Sequence, residues 1–151
     1  MSKVYNLKTI QFLPISIEQA WDFFSSPTNL SKITPAELKF KILSTDLTKV
    51  YAGQIIEYEV HPILGIPLYW MTEITQVEHH KYFVDNQVFG PYSLWHHQHH
   101  FKVVEGGVEM TDIVHYKLPF WFFGDIANSL FVKAKLKEIF DYRTKMVKEI
   151  F

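Results

Sequence analysis

Phe89-Gly90-Pro91-Tyr92-Ser93-Leu94-Trp95-His96-His97-Gln98-His99-His100-Phe101 joins a turn to a strand of alternating character. Gly90-Pro91 is a turn signal. From Trp95 onward every second residue is Trp, His, His, Phe. Side chains of a strand alternate between faces, so Trp95, His97, His99 and Phe101 share one face, and His96, Gln98 and His100 share the other. Aromatic bodies with polar tips along one face suit the wall of a cavity that takes a mostly apolar molecule and fixes its orientation.

Working outward, Leu68 to Val77, Tyr82 to Phe89, Ser93 to Val104 and Val108 to Leu118 read as a meander of four antiparallel strands. Its turns are Glu78-His79-His80-Lys81, Gly90-Pro91 and Gly106-Gly107, the last a two-residue hairpin signal. A turn on Gly106-Gly107 pairs Phe101 with Asp112, His99 with Val114 and His97 with Tyr116. A three-residue loop at Gly90-Pro91-Tyr92 pairs Trp95 with Gln87, His97 with Asp85 and His99 with Phe83. A turn on His79-His80 pairs Trp70 with Phe89, Thr72 with Gln87 and Ile74 with Asp85. These residues fall on one face, because a one-residue slip reverses the face. A two-residue loop at Gly90-Pro91 is the competing register and places Asp85 opposite His96.

Earlier in the chain, Val4 to Leu13 reads as a first strand. Ser16-Ile17-Glu18-Gln19 has capping-box form and opens a short helix to about Ser26. Asn29 to Thr34, between Pro27 and Pro35, reads as a second. Leu38 to Leu43 and Gln54 to Val60 alternate as strands, the latter with Ile56, Tyr58 and Val60 on one face. Pro62 to Pro67 is an apolar loop that either folds over the core or forms a lip over a pocket. After Pro119-Phe120-Trp121-Phe122-Phe123-Gly124, Asp125 is a plausible N-cap for a long final helix. Its apolar stripe is Val132, Leu136, Ile139, Phe140, Met146, Val147 and Ile150. Arg143 falls within that stripe. It can meet a ligand's acidic group, but its long stem favours the rim and water.

The 151 residues fit one domain, 1–151, and 48% hydrophobic with 17% aromatic content provides material for a core and for a lined hollow. A formal net charge of -1 gives no electrostatic reason to expect a nucleic-acid partner. The chain has no cysteine, which excludes disulfides and thiolate chemistry. Neither a signal-peptide pattern nor an apolar run of membrane-spanning length is read. The expectation is a cytoplasmic protein without stable membrane insertion. Phe120 to Phe123 are expected to pack over a cavity mouth rather than touch a bilayer, and oligomeric state is left open.

One strand, two short helices, six strands and a long helix make an α+β order. Three local signatures add to it. They are Ser26-Pro27-Thr28-Asn29-Leu30 with Ile33-Thr34-Pro35; Gly90-Pro91 with Trp95-His96-His97-Gln98-His99; and Asp112-Ile113-Val114-His115-Tyr116-Lys117-Leu118-Pro119. On these the chain resembles the START/Bet v 1-like (SRPBCC) superfamily. Within it, the chain is similar to small bacterial members grouped with polyketide cyclase/dehydrase-type and "cell division inhibitor"-type domains. The resemblance implies a helix-grip fold: a seven-stranded curved antiparallel sheet wrapped around the C-terminal helix, with a deep cavity between them. It also implies a hydrophobic or amphipathic ligand, such as a lipid, isoprenoid or polyketide. Leu118 to Gly124 is bulkier than the small-residue turn common there, which bears on how open the entrance is.

The expected ligand-facing set is Tyr58, Trp70, Thr72, Phe83, Asp85, Gln87, Phe89, Trp95, His97, His99, Asp112, Val114 and Tyr116. Several chemical readings of its polar members stay open. They can form a buried hydrogen-bonded network, with or without orienting a ligand. His97 or His99, oriented by Asp85, can also act as an acid or base in cyclisation or dehydration. His97-x-His99 with Asp85 is a partial metal-ligand set. Against it, the spacings to the flanking Gly90 and Glu105 are each one residue off the cupin pattern, so no metal and no cofactor is expected. A filled, regulatory domain is the remaining alternative.

Overall fold

The structure is a computed structural model that describes residues 3–62 and 64–151, with the side chains of Trp121, Phe122 and Ser129 left aside. Ile63 of the apolar loop therefore lies outside the described residues, as do two side chains of the Phe120–Phe123 run. Seven strands form one antiparallel sheet: β1 (Tyr5–Leu13), β2 (Lys41–Ile42), β3 (Ile55–Val60), β4 (Leu68–Glu78), β5 (Tyr82–Phe89), β6 (Leu94–Val104) and β7 (Gly107–Lys117). Their spatial order is β1-β7-β6-β5-β4-β3-β2. The last five make a meander, and β1 closes its far side against β7.

Helix α1 (Ile17–Phe24) starts at the predicted capping box: Ser16 Oγ accepts from the Gln19 amide, and Gln19 Oε1 accepts from the Ser16 amide. Two 3₁₀ turns follow, Pro27–Ile33 and Ala36–Leu38. The expected Leu38–Leu43 strand shrinks to Lys41–Ile42, because Leu38 ends a 3₁₀ turn and Lys39 takes a left-handed φ of 44°.

The final helix starts earlier than its sequence signals suggested. Pro119 and a left-handed Phe120 (φ 67°) turn the chain into α2 (Trp121–Ala127). A π-helical turn, Asn128–Val132, leads on to α3 (Lys133–Ile150). Asp125 is thus no N-cap. Its Oδ1 instead accepts from the Tyr5 hydroxyl at 2.9 Å and the Lys3 amide at 3.2 Å, fastening the helix start to β1. Leu136, Phe140 and Val147 of the predicted stripe are buried, whereas Ile150 is exposed.

Period-two burial sets the inner face. Along β7 Val108, Met110, Asp112, Val114 and Tyr116 are buried while the residues between them are not. Trp21 anchors one end of the core, edge-on to Phe83 and Phe101 with centroids 6.0 and 5.6 Å away. A second cluster joins Val114 and Tyr116 to Leu136 and Phe140 of α3.

The β5–β6 register pairs His97 with Asp85 and His99 with Phe83, as the three-residue loop predicts. The β6–β7 register differs by two residues from that expected: Phe101 pairs with Met110, His99 with Asp112, His97 with Val114 and Trp95 with Tyr116. The turn is Glu105-Gly106, one residue earlier than read. Gly106 supplies the left-handed φ of 79°. Gly107 is the first residue of β7, where any Cβ would collide with the Leu13 carbonyl oxygen of β1. A shift of two keeps every side chain on its expected face.

The β4–β5 register pairs Thr72 with Gln87 and Ile74 with Asp85, but a bulge places Phe89 opposite Met71 instead of Trp70. That single-residue shift turns Phe89 to the outer surface.

Gly107→Ala is therefore expected to destabilise the protein by about 1–3 kcal/mol, since β1 must move to admit a methyl group. Urea denaturation of the two proteins checks this, and an unchanged midpoint would contradict the close β1–β7 approach.

Candidate functional site

Between sheet and helices lies a cavity of about 1390 Å³, partly open to solvent. Its wall is mainly aromatic and aliphatic. The sheet contributes Tyr58, Trp70, Thr72, Phe83 and Trp95, and α3 contributes Leu136, Ile139 and Phe140. Trp70 stands edge-on to Trp95 with centroids 5.3 Å apart. Leu64, Phe120, Leu130 and Phe131 line the opening and stay exposed, Leu64 at 93% and Phe120 at 77%.

Asp85, His97 and His99 break this apolar wall. Strand register puts His97 directly opposite Asp85 on one side and His99 directly opposite Asp112 on the other. The shortest contacts run along the diagonals: His97 Nε2 to Asp112 Oδ1 at 2.7 Å, and His99 Nε2 to Asp85 Oδ2 at 2.7 Å. The remaining ring nitrogens complete a cycle, His99 Nδ1 lying 3.2 Å from Asp112 Oδ1 and His97 Nδ1 lying 3.6 Å from Asp85 Oδ2. The two imidazoles overlap with centroids 3.7 Å apart, and Phe83 stacks on His99 at 4.1 Å.

Arg143 completes the group and corrects its expected place at the rim. Its guanidinium lies over the Phe140 ring, 4.8 Å from the centroid, with Nη1 4.0 Å from Asp112 Oδ1. The Arg143 Nε is buried without a hydrogen-bond partner. The Asp112 and Asp85 carboxylates give the guanidinium an inward partner that the stem length alone does not reveal.

Burial alone would raise both carboxyl pKa values, but the imidazoles outweigh it. Asp85 is held below its ordinary value by its proximity to His97, by His99, and by Arg143. Asp112 is held well below the carboxylate range, chiefly by hydrogen bonds from His97 and His99. Burial and the neighbouring His99 charge push His97 down, towards the neutral form. Burial acts in the same sense on His99, yet hydrogen bonds to Asp112 and Asp85 raise it. Asp85 and Asp112 are thus held as carboxylates, with Arg143 beside Asp112, and of the two imidazoles His99 is the more basic and His97 the less. Burial, together with the Asp85 charge, raises the Tyr58 phenol and keeps it protonated.

The expected site residues separate into those on the wall and those elsewhere. Tyr58, Trp70, Thr72, Phe83, Asp85, Trp95, His97 and His99 line the cavity. Asp112 sits behind the two imidazoles. Val114 and Tyr116 are packed beneath the helices, the Tyr116 hydroxyl donating to Asn128 Oδ1 at 2.7 Å. Gln87 pins the β5–β6 loop through two hydrogen bonds to the Tyr92 backbone. Phe89, 62% exposed, packs on Tyr69 and takes no part.

The sequence-based set missed the lining from outside the sheet, including Phe23, Leu30, Ile33, Tyr92 and Ile139. Helical spacing signalled Ile139. Nothing local signalled the 3₁₀ residues, whose placement depends on tertiary packing.

Asp85, His97 and His99 each offer one potential metal-ligand atom, the three lying within 4.8 Å of one another. No helix among the described residues is long and apolar enough to cross a membrane.

The fold has known counterparts. The CV1439 protein from Chromobacterium violaceum superposes with a TM-score of 0.71 at 13% identity, covering 94% of each chain. Ginseng major latex-like protein 151 from Panax ginseng gives 0.69 at 14% identity, covering 97% of this chain and 96% of its own. Ara h 8.0201 gives 0.60 at 12% identity, covering 97% and 99%. Searches against family models and curated proteins give no match.

The charge assignment predicts distinct titrations. Imidazole NMR resonances of His99 should report the cation at and above pH ~6.5, the unperturbed value, while those of His97 report the neutral ring below it. Both rings titrating together near that value would contradict the assignment.

Proposed function

On the helix-grip fold that it shares with Bet v 1-like proteins, we propose that this chain binds a hydrophobic or amphipathic small molecule. The class fits lipid, isoprenoid or polyketide-like compounds. The observation that carries this is the large apolar cavity with one polar group, Asp85, His97, His99 and Arg143, set into its wall. Apolar surface moved from water to such a wall gains about 25 cal/mol per Å², so a molecule burying ~400 Å² gains ~10 kcal/mol before the costs of association. The polar group sets orientation. Arg143 Nε offers an unused donor, and a carbonyl, hydroxyl or carboxylate oxygen is the matching acceptor.

Native mass spectrometry of the purified protein is expected to show a persistent small-molecule adduct, or one acquired on incubation with long-chain amphiphiles. Ile139→Trp, which adds bulk to the lining, should weaken binding of an apolar fluorophore by about tenfold or more, the equivalent of ~1.4 kcal/mol. A chain that takes up no such molecule, with Ile139→Trp without effect, would reject the proposal.

One observation favours a second, enzymatic reading. His97 and His99 have pKa values pushed in opposite directions, the arrangement by which one site holds both an acid and a base. A cyclase or dehydratase would use the His99 imidazolium as acid and neutral His97 as base, with Asp85 orienting the rings. Under this reading His97→Ala/His99→Ala loses turnover of a bound polyketide or hydroxy-ketone; under the first it alters affinity alone.

A further inference from the structure

We propose that Asp85, His97 and His99 form a site for a divalent transition-metal ion of the zinc class, with Asp112 as its outer carboxylate. This goes beyond the ligand-binding reading and does not depend on it. Spacing along the chain argued against a metal; the cross-strand arrangement argues for one.

The four imidazole nitrogens divide into two pairs. His97 Nε2 and His99 Nδ1 both reach Asp112 Oδ1, at 2.7 and 3.2 Å. His97 Nδ1 and His99 Nε2 both turn to Asp85 Oδ2, at 3.6 and 2.7 Å. Histidines that ligate a metal donate their other ring N–H to a carboxylate, which fixes tautomer and orientation. One aspartate here does this for both rings. The opposite nitrogens are left facing the Asp85 oxygen, and the three residues each offer a ligand atom within 4.8 Å of the others. Zinc bond lengths of about 2.1 Å in a tetrahedron put neighbouring donors about 3.4 Å apart, and the two Asp85 distances bracket that spacing.

The pairs also differ in what they face. Asp85, His97 and His99 line the cavity, whereas Asp112 does not. An ion held by the front pair and Asp85 would keep its fourth position towards the cavity, the open geometry of a three-ligand zinc site. Two imidazoles and one carboxylate, without thiolate, suit zinc, cobalt or nickel better than magnesium or calcium. The proton shared between His99 Nε2 and Asp85 occupies the ion's place and must leave on loading. With both front nitrogens unprotonated, Asp85, Asp112 and Arg143 leave one net negative charge to meet the ion.

The test is titration of the untagged full chain with zinc by calorimetry, and with cobalt by visible absorption. Expected is one ion per chain, with cobalt bands of a low-coordinate site. Asp112→Asn should weaken binding by about 10–100-fold and alter the cobalt spectrum. Asp85→Asn, which keeps shape and removes a ligand, should weaken it at least comparably. His79→Ala/His80→Ala, in the β4–β5 turn, should leave it unchanged. Absence of saturable binding by the wild type would overturn the proposal, as would unaltered affinity in Asp85→Asn or dependence on His79 and His80.

Discussion

Two carboxylates stand among mostly apolar neighbours on the inner face of a sheet, one buried and one half-buried at the cavity wall, and answering their charge is the constraint that shapes the centre of this molecule. An isolated buried carboxylate would take up a proton rather than stay charged. Asp85 and Asp112 stay ionised because two imidazoles and a guanidinium surround them. Three adjacent strands, β5, β6 and β7, must hold one register for those contacts to form, and α3 must be rotated so that Arg143 points inward. The polar group thus ties sheet and helix together across a space that hydrophobic packing leaves unfilled.

That unfilled space is not a consequence of composition alone. A core of this composition could have closed around its aromatic residues. Instead Trp21, Phe83 and Phe101 consolidate one end, Val114, Tyr116 and Phe140 another, and the cavity is lined from both. Asp125 and Asn128 fasten the start of the final helical run to β1 and β7. With that start fixed and Leu136, Phe140 and Val147 packed, the cavity wall is held by contacts away from the opening. Apolar side chains at the opening, Phe120 and Leu64 among them, are left free of that packing duty.

Much of this was legible in the sequence, for reasons that also explain the exceptions. Strand faces follow from alternation, which survives a shift of two residues, so the sequence places Trp95, His97, His99 and Asp112 on the inner face although the β6–β7 pairing differs from expectation. The difference arises from adjacent glycines with different duties: Gly106 makes the turn, while Gly107 makes room for Leu13. The bulge that expels Phe89 leaves no composition signal, because Val88 and Phe89 look like any strand end. Arg143 was misplaced because its stem length can be read locally, whereas the buried acids that draw it in are distant in sequence. The 3₁₀ lining residues depend on packing against α3 and were illegible for the same reason.

A crystal structure of the protein with a long-chain amphiphile is the decisive measurement. Density for one elongated molecule is expected in the cavity. Its polar end should lie against Arg143, His97 and Asp85, and its apolar end should run towards Leu64 and Phe120. A cavity filled by rearranged Trp70 and Trp95 would contradict it, as would a molecule whose polar end sits at the opening with the histidine–aspartate group untouched.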